Sequence, residues 1–120
     1  MLYTQTTIQE TTEMLWLEYC LIFPGLVKFD TPTIKLSNRL TATAGYNQSE
    51  KNIIVLGSKF IAAFPEMMIS ETLPHEIGHQ IDYNINGWKA GRKHHDKYWK
   101  AVMEKIGVPY SIYHSYGKMK

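Results

Sequence analysis

Apolar residues recur every three or four positions along three stretches of the chain, residues 4–20, 66–84 and 94–106. This spacing is typical of helices that bury one face. In the second stretch, Pro74 lacks the backbone N–H that an interior helical position uses. We therefore expect that helix effectively to begin near Pro74, with Thr72 as a candidate cap. The residues predicted to face the core are Ile8, Leu15 and candidate Met14 in the first helix, Ile69, Leu73, Ile77 and Ile81 in the second, and Trp99, Val102, Met103 and Ile106 in the third.

Two short segments between the first two helices have the pattern of strands. Residues 33–37 alternate polar and apolar side chains, and residues 52–56 are rich in β-branched side chains. Residues 44–49 between them have the composition of a turn. The tail, residues 110–116, alternates in a strand-like way. We therefore predict an α+β fold, a small antiparallel sheet packed on helices, in a single domain over residues 1–120.

Composition excludes several classes of protein. The 120 residues are 44% hydrophobic, without an apolar run near the roughly 18 residues of a membrane span. No secretory signal is visible at the N-terminus, so we expect a cytoplasmic protein. We also expect a monomer with no membrane association. Cys20 is the only cysteine, which excludes an internal disulfide and a cysteine-based zinc ribbon. A bound metal must therefore use histidine or carboxylate ligands.

Basic residues are concentrated in one part of the chain. Residues 1–86 carry five Lys/Arg and nine Asp/Glu, whereas residues 87–105 carry six and two. A solvated surface explains this asymmetry as well as a phosphate-facing patch does. With an aromatic ring nearby, the basic stretch also suits single-stranded DNA, because bases stack on such rings. The candidate contacts are Trp88, Lys89, Arg92, Lys93, Lys97 and Lys100.

The segment His75-Glu76-Ile77-Gly78-His79 carries the strongest chemical signal. On a helix, His75 and His79 lie on the same face and can direct two imidazoles at one cation. Glu76 then lies beside the cation and can act as general base and acid for a metal-activated water. The pattern predicts a zinc-dependent hydrolase, and a helix with two stray histidines is the alternative.

A catalytic zinc ion usually has three protein ligands, so a third is needed. The metzincin pattern requires Gly and His where this chain has Asp82 and Ile85, so that class is excluded. His94 and His95 follow a glycine-containing loop, and either can supply the third imidazole. Asp82 can orient a ligand imidazole by accepting its other N–H, or it is a surface carboxylate.

Five blocks of sequence together resemble the SprT-like metallopeptidases, the family that includes the DNA–protein crosslink protease Spartan. The blocks are residues 40–46 (L-T-A-T-A-G-Y), 53–56 (I-I-V-L), 71–83 (E-T-L-P-H-E-I-G-H-Q-I-D-Y), 95–104 (H-D-K-Y-W-K-A-V-M-E) and 111–116 (S-I-Y-H-S-Y). They fall within residues 31–116. The resemblance implies a compact zincin-like domain with the H-E-x-x-H motif on its central helix and a zinc ion between that helix and the next.

The resemblance also implies roles for individual residues. The family's third ligand lies in an H-G-x-x-W or H-G-x-x-F pattern, which His95 and Trp99 match, so His95 is preferred to His94. Asp96 replaces the glycine of that pattern and must tolerate any special backbone angle the glycine supplies. Tyr113 and His114 are implied to form a strand near the cleft and to stabilise the oxyanion.

Three functions follow as hypotheses. The first is a zinc-dependent endopeptidase, a compact phage or bacterial version of the family, that acts on DNA-bound or crosslinked proteins. The second is a non-catalytic module that binds nucleic acid, in which zinc only stabilises the fold. The third is a metal-dependent hydrolase with a non-peptide substrate.

Overall fold

The computed structural model describes residues 3–88, 91–93 and 95–108, which combine helices with a three-stranded sheet. The α+β class is therefore as predicted. The helices are α1 (Gln5–Ile22), α2 (Ser58–Ala63), α3 (Pro65–Met67), α4 (Leu73–Asn86) and α5 (Lys97–Ile106), and the strands are β1 (Thr33–Ser37), β2 (Gly45–Gln48) and β3 (Ile53–Gly57). No helix within these ranges is long and apolar enough to cross a membrane.

Helix α1 begins at a reciprocal cap. The Thr4 hydroxyl accepts a hydrogen bond from the Thr7 backbone N–H, and the Thr7 hydroxyl accepts one from the Thr4 N–H, so two otherwise unpaired N–H groups are satisfied. The buried face carries Ile8 and Trp16. The predicted helix is confirmed, but Met14 is 68% exposed and does not face the core.

The sheet corrects the predicted topology. Strand β3 lies in the middle, pairs parallel with β1 and pairs antiparallel with β2, so the sheet is mixed rather than antiparallel. The segment interpreted as a turn is strand β2. Two residues that usually favour turns have other roles in this strand. Gly45 is needed because a Cβ there would lie 2.7 Å from the Val55 carbonyl oxygen, and the Asn47 side chain donates a hydrogen bond to the Ile53 carbonyl. The reversal of direction comes later, at Asn52, whose φ is 57°.

The hydrophobic core lies between α1, the sheet and α4. Leu73, Ile77 and Ile81 form the apolar face of α4 and are fully buried, as their spacing predicts. Burying each such side chain contributes about 1.5–3 kcal/mol to folding. The opposite side of the helix is left to carry polar side chains. Leu73, Ile77 and Ile81 belong to one core cluster with other buried residues, which include Ile8, Leu26, Ile34, Ile54, Leu56, Phe60 and Met68.

A π-helical turn, which is wider than an α-helical one, leads into helix α4. A π-helical segment, Met68–Thr72, precedes it, and Pro74 occupies the first turn, where no N–H is needed. The start near Pro74 is therefore as predicted. Thr72, however, has helical backbone angles and makes no side-chain capping hydrogen bond, so its predicted role as a cap is wrong.

Helix α5 begins later than its periodicity suggests. Asp96 is the N-cap, and its carboxylate accepts hydrogen bonds from the Tyr98 and Trp99 backbone N–H groups. Gly107 ends the helix with φ at 72°, a left-handed angle that glycine adopts without steric cost. His95 therefore lies just outside the helix. The strand-like tail, residues 110–116, lies outside the described residues.

Candidate metal centre

Three imidazoles meet at one point of the structure. His75 and His79 lie one turn apart on α4, and His95 immediately precedes the N-cap of α5. The Nε2 atom of His75 is 3.1 Å from that of His95, and the Nε2 atom of His79 is 3.2 Å from each of the other two. Of the two candidates for a third ligand, His95 is the one placed here, whereas His94 lies outside the described residues.

This triangle of nitrogens fits a cation better than it fits hydrogen bonding. A neutral imidazole nitrogen either carries one proton or offers one lone pair, so three mutually close Nε2 atoms cannot all be paired with one another. At these separations, all three nitrogens could lie about 2.0–2.1 Å from one ion, the distance at which histidine binds zinc, so the donor set would fit such an ion. The three histidines can therefore hold a metal ion.

Trp99 forms the floor beneath the three histidines. Its fully buried ring lies 4.7 Å from the ring centroids of His75 and His95 and 5.1 Å from that of His79. The close approach of α5 to α4 depends on Gly78, because a Cβ there would clash with the Sδ atom of Met103. The glycine inside the motif therefore allows the helix that carries Trp99 to reach the histidines.

Glu76 lies beside the triangle and is only 5% exposed. Its Oε2 atom is 4.0 Å from Nε2 of His75. Burial, which penalises the charged form, raises the pKa of Glu76 to about 8. A nearby cation would favour the carboxylate. A carboxylate that is largely shielded from solvent therefore lies next to the three histidines.

Asp82 matches neither of its two predicted roles, a hydrogen bond to a ligand imidazole or a surface carboxylate, because it is 3% exposed and binds two other side chains. Its carboxylate accepts hydrogen bonds from Asn86 Nδ2 at 2.8 Å and from Arg92 Nη2 at 2.7 Å. Arg92 also binds Asp96, and these hydrogen bonds lower the pKa of Asp96 to about 2. Asp82 therefore faces the loop that leads to His95, and its buried position is explained by the ion pair with Arg92.

Asp96 needs no unusual backbone angle. Its φ of −81° and ψ of −175° lie in the extended region, which any residue adopts. The aspartate in place of the family's glycine is therefore compatible with the position of His95. It adds a cap for α5 and a partner for Arg92, neither of which glycine could provide.

A cleft of about 610 Å³ opens above the three histidines. Strand β2 forms one wall, and its edge away from β3 is unpaired among the described strands. Gln80 of α4 fixes this wall by accepting a hydrogen bond from Asn47 and donating one to the Ser49 carbonyl. Other residues that line the cleft lie at or near the three histidines, and they include His75, Glu76, His79, Asp82, Tyr83, Trp88 and His95.

The residues predicted to contact nucleic acid differ in their exposure to solvent. Trp88 is 45% exposed, and Lys93 and Lys97 are exposed, whereas Lys100 is half-buried. The Arg92 side chain is largely buried in ion pairs, which gives it an internal role. Lys89, Tyr113 and His114 lie outside the described residues.

Sequence reasoning missed the Arg92 network and strand β2. The spacing of Arg92 and Asp96, four residues apart with opposite charges, was the available signal for the first. No local signal marks the second, because Gly45 and Asn47 are typical of turns.

Comparisons with known proteins place these features in a family. The chain matches the SprT-like family over residues 11–115. It is 30% identical over 89 residues to Protein SprT of Actinobacillus succinogenes, an alignment that covers 73% of the chain and 50% of that protein. It is 33% identical over 89 residues to Protein SprT of Vibrio atlanticus, with 73% and 51% covered. The chain thus spans about half the length of these curated relatives. No solved structure matches it significantly.

Proposed function

The chain belongs to the SprT-like family, as its sequence blocks predicted, and from this premise we propose that it is a zinc-dependent endopeptidase of the zincin type. One observation carries the proposal: three Nε2 atoms lie 3.1–3.2 Å apart beside a buried carboxylate, Glu76. The ligands are His75, His79 and His95. Three imidazoles favour zinc among the common divalent ions, and a zinc ion held by three protein ligands would supply the chemistry of a catalytic site.

Glu76 performs the proton transfers in this mechanism. When bound, the zinc ion supplies Lewis-acid chemistry, polarising the substrate carbonyl and making water acidic. Glu76 accepts a proton from the water as it attacks the peptide carbonyl and then donates that proton to the leaving amine. Its burial between α4 and the cleft holds the carboxylate in one place and excludes bulk water.

The substrate is an extended polypeptide segment lying along strand β2. The edge of β2 that has no partner among the described strands can form backbone hydrogen bonds with an added strand, and it lines the same cleft as the three histidines. The hydrogen bond from Asn47 to Gln80 and the one from Gln80 to the Ser49 carbonyl keep this edge at a fixed distance from α4. Tyr46 and Trp88 are exposed aromatic residues of the cleft that can contact substrate side chains.

Association with single-stranded DNA is a second part of the proposal. Trp88 offers a stacking surface, and Lys93 and Lys97 are exposed nearby in sequence. Binding should weaken steeply with salt, because phosphate contacts release counterions. Replacing both lysines with glutamine should reduce the salt dependence. A flat salt response with intact proteolysis would reject the DNA part alone.

The exchange Glu76→Gln tests the enzymatic proposal. Glutamine has the same shape but cannot accept the proton, so we expect full zinc content and loss of casein cleavage by at least about 100-fold. Metal content by mass spectrometry and cleavage with and without single-stranded DNA are the measurements. A zinc-loaded wild type that cleaves no protein would favour the non-catalytic module, and turnover of a non-peptide substrate in a panel would favour the third hypothesis.

A further inference from the structure

We infer that Arg92 is a positioning residue for the metal centre, which holds the loop before His95 against helix α4. The inference rests on the proposed function, because it concerns the ligand set of the same site. Two of the three ligands share α4, so their spacing is set by the helix. His95 arrives from a separate loop and needs a further constraint.

Arg92 fastens this loop to the end of α4. Its Nη2 atom donates to Oδ2 of Asp82 at 2.7 Å, and its Nη1 atom donates to the carbonyl of Gly87 at 2.6 Å. Asp82 lies three residues after His79 on α4, and Gly87 is the C-cap residue that follows the last residue of α4. The guanidinium therefore binds α4 at Asp82 and at its C-cap, Gly87.

The same guanidinium holds the residue next to His95. Arg92 Nε donates to Oδ2 of Asp96 at 2.9 Å, and Nη2 donates to Oδ1 at 3.0 Å. Asp96 Oδ1 is also the N-cap acceptor for α5. The two carboxylates, one on α4 and one at the start of α5, are thereby joined through one planar cation.

The surroundings of Arg92 favour this internal role. Its side chain is 10% exposed, and its guanidinium carbon lies 5.2 Å from the ring centroid of Trp88 and 4.6 Å from that of Tyr98. Stacking and a forked set of donors are properties that lysine does not share. The geometry of the site therefore calls for arginine specifically, and not merely for a positive charge.

Arg92 acts on the metal ligands only through the backbone and Asp96. Because Arg92 orders the loop in the metal-free protein, zinc binding does not have to offset the conformational entropy that would be lost on ordering it. Loss of Arg92 should therefore weaken zinc binding by roughly 10-fold to 100-fold, the range typical of residues that support metal ligands. The fold, whose core lies on the other side of α4, should persist.

The test compares Arg92→Gln and Arg92→Lys with the matched control Lys93→Gln, which removes the same charge from an exposed neighbour. Zinc affinity is measured by competition with a chromophoric chelator at a temperature where circular dichroism shows each metal-free variant to be folded. The absorption spectrum of the Co²⁺-loaded protein reports the ligand geometry. A purely structural role would lower the melting temperature without changing either property of the folded molecules.

We expect both Arg92 variants to lose zinc affinity and to show an altered Co²⁺ spectrum, with Lys93→Gln unchanged. Zinc affinity in Arg92→Gln equal to that of the wild type would overturn the inference and leave the proposed function standing. If Arg92→Gln does not fold, Asp96→Asn decides on the same criterion, because asparagine still caps α5 but loses the ion pair. A wild type without zinc affinity would reject the proposed function and the positioning role together.

Discussion

The indole ring of Trp99 stacks on the imidazole of His79, with centroids 5.1 Å apart and planes 17° from parallel. Trp99 lies on α5 and His79 on α4, so this contact joins the helix that carries His75 and His79 to the helix that follows His95. The same indole touches the rings of His75 and His95. One buried side chain therefore fixes the orientation of all three imidazoles.

Replacing Trp99 with leucine should weaken both folding and metal binding. The substitution leaves a cavity beneath the histidines, and we expect a loss of about 2–4 kcal/mol in the free energy of unfolding of the metal-free protein. Zinc affinity should fall as well, because the rings lose their support. Urea denaturation in EDTA and chelator competition measure the two effects.

Phe60→Leu is the control for this prediction. Phe60 is a buried core residue on α2 that does not line the cleft. The Phe60→Leu substitution should lower the free energy of unfolding while leaving the zinc affinity of the folded protein unchanged. Equal zinc affinities in Trp99→Leu and Phe60→Leu would show that Trp99 contributes to packing alone.

Gly78→Ala should destabilise the protein although alanine favours helices. Alanine gains about 1 kcal/mol from helix propensity, but overpacking against Met103 Sδ and Trp99 Nε1 costs about 1–3 kcal/mol. The cost should shrink in a Met103→Ala background, because the clashing sulfur is then absent. A double-mutant cycle of unfolding free energies measures the coupling, and additive effects would contradict the predicted clash.

Local sequence predicted the features that depend on local interactions. The periodicity of α1, α4 and α5 and the spacing of His75 and His79 are properties of single helices, and each was predicted. The direction of strand pairing was wrong because it depends on a third strand, β2, whose residues favour turns. The short helix α2 was not predicted at all.

The choice of His95 came from the family resemblance rather than from periodicity. Spacing alone left His94 and His95 equivalent, since both lie before α5 in a basic stretch. The ion pair of Arg92 with Asp82 could not be predicted either, because it requires knowledge of how α4 and the loop approach each other. Tertiary contacts therefore determine the part of the site that the helical motif does not.

Alkaline pH should destabilise the protein through Tyr19. Burial, with a smaller contribution from Glu18, raises the pKa of this tyrosine to about 12. In the unfolded chain the phenol loses its proton near pH 10, so between pH 10 and 12 the folded state binds more protons. Stability must therefore fall as the pH rises through this interval. Tyr19→Phe should reduce that decline in urea denaturation series, and an identical decline in both proteins would contradict the prediction.

His95→Ala should abolish stoichiometric zinc binding, whereas His94→Ala should retain it. The Nε2 atom of His95 completes the triangle with His75 and His79, and two imidazoles alone leave the ion without a third protein ligand. Zinc at 100 times its dissociation constant should stabilise the wild type and His94→Ala by about 2.7 kcal/mol. That stabilisation should be absent in His95→Ala, and EDTA should remove it from the others. Metal content by mass spectrometry and thermal melts with and without zinc measure these effects. Full zinc content in His95→Ala together with loss in His94→Ala would transfer the third ligand to His94.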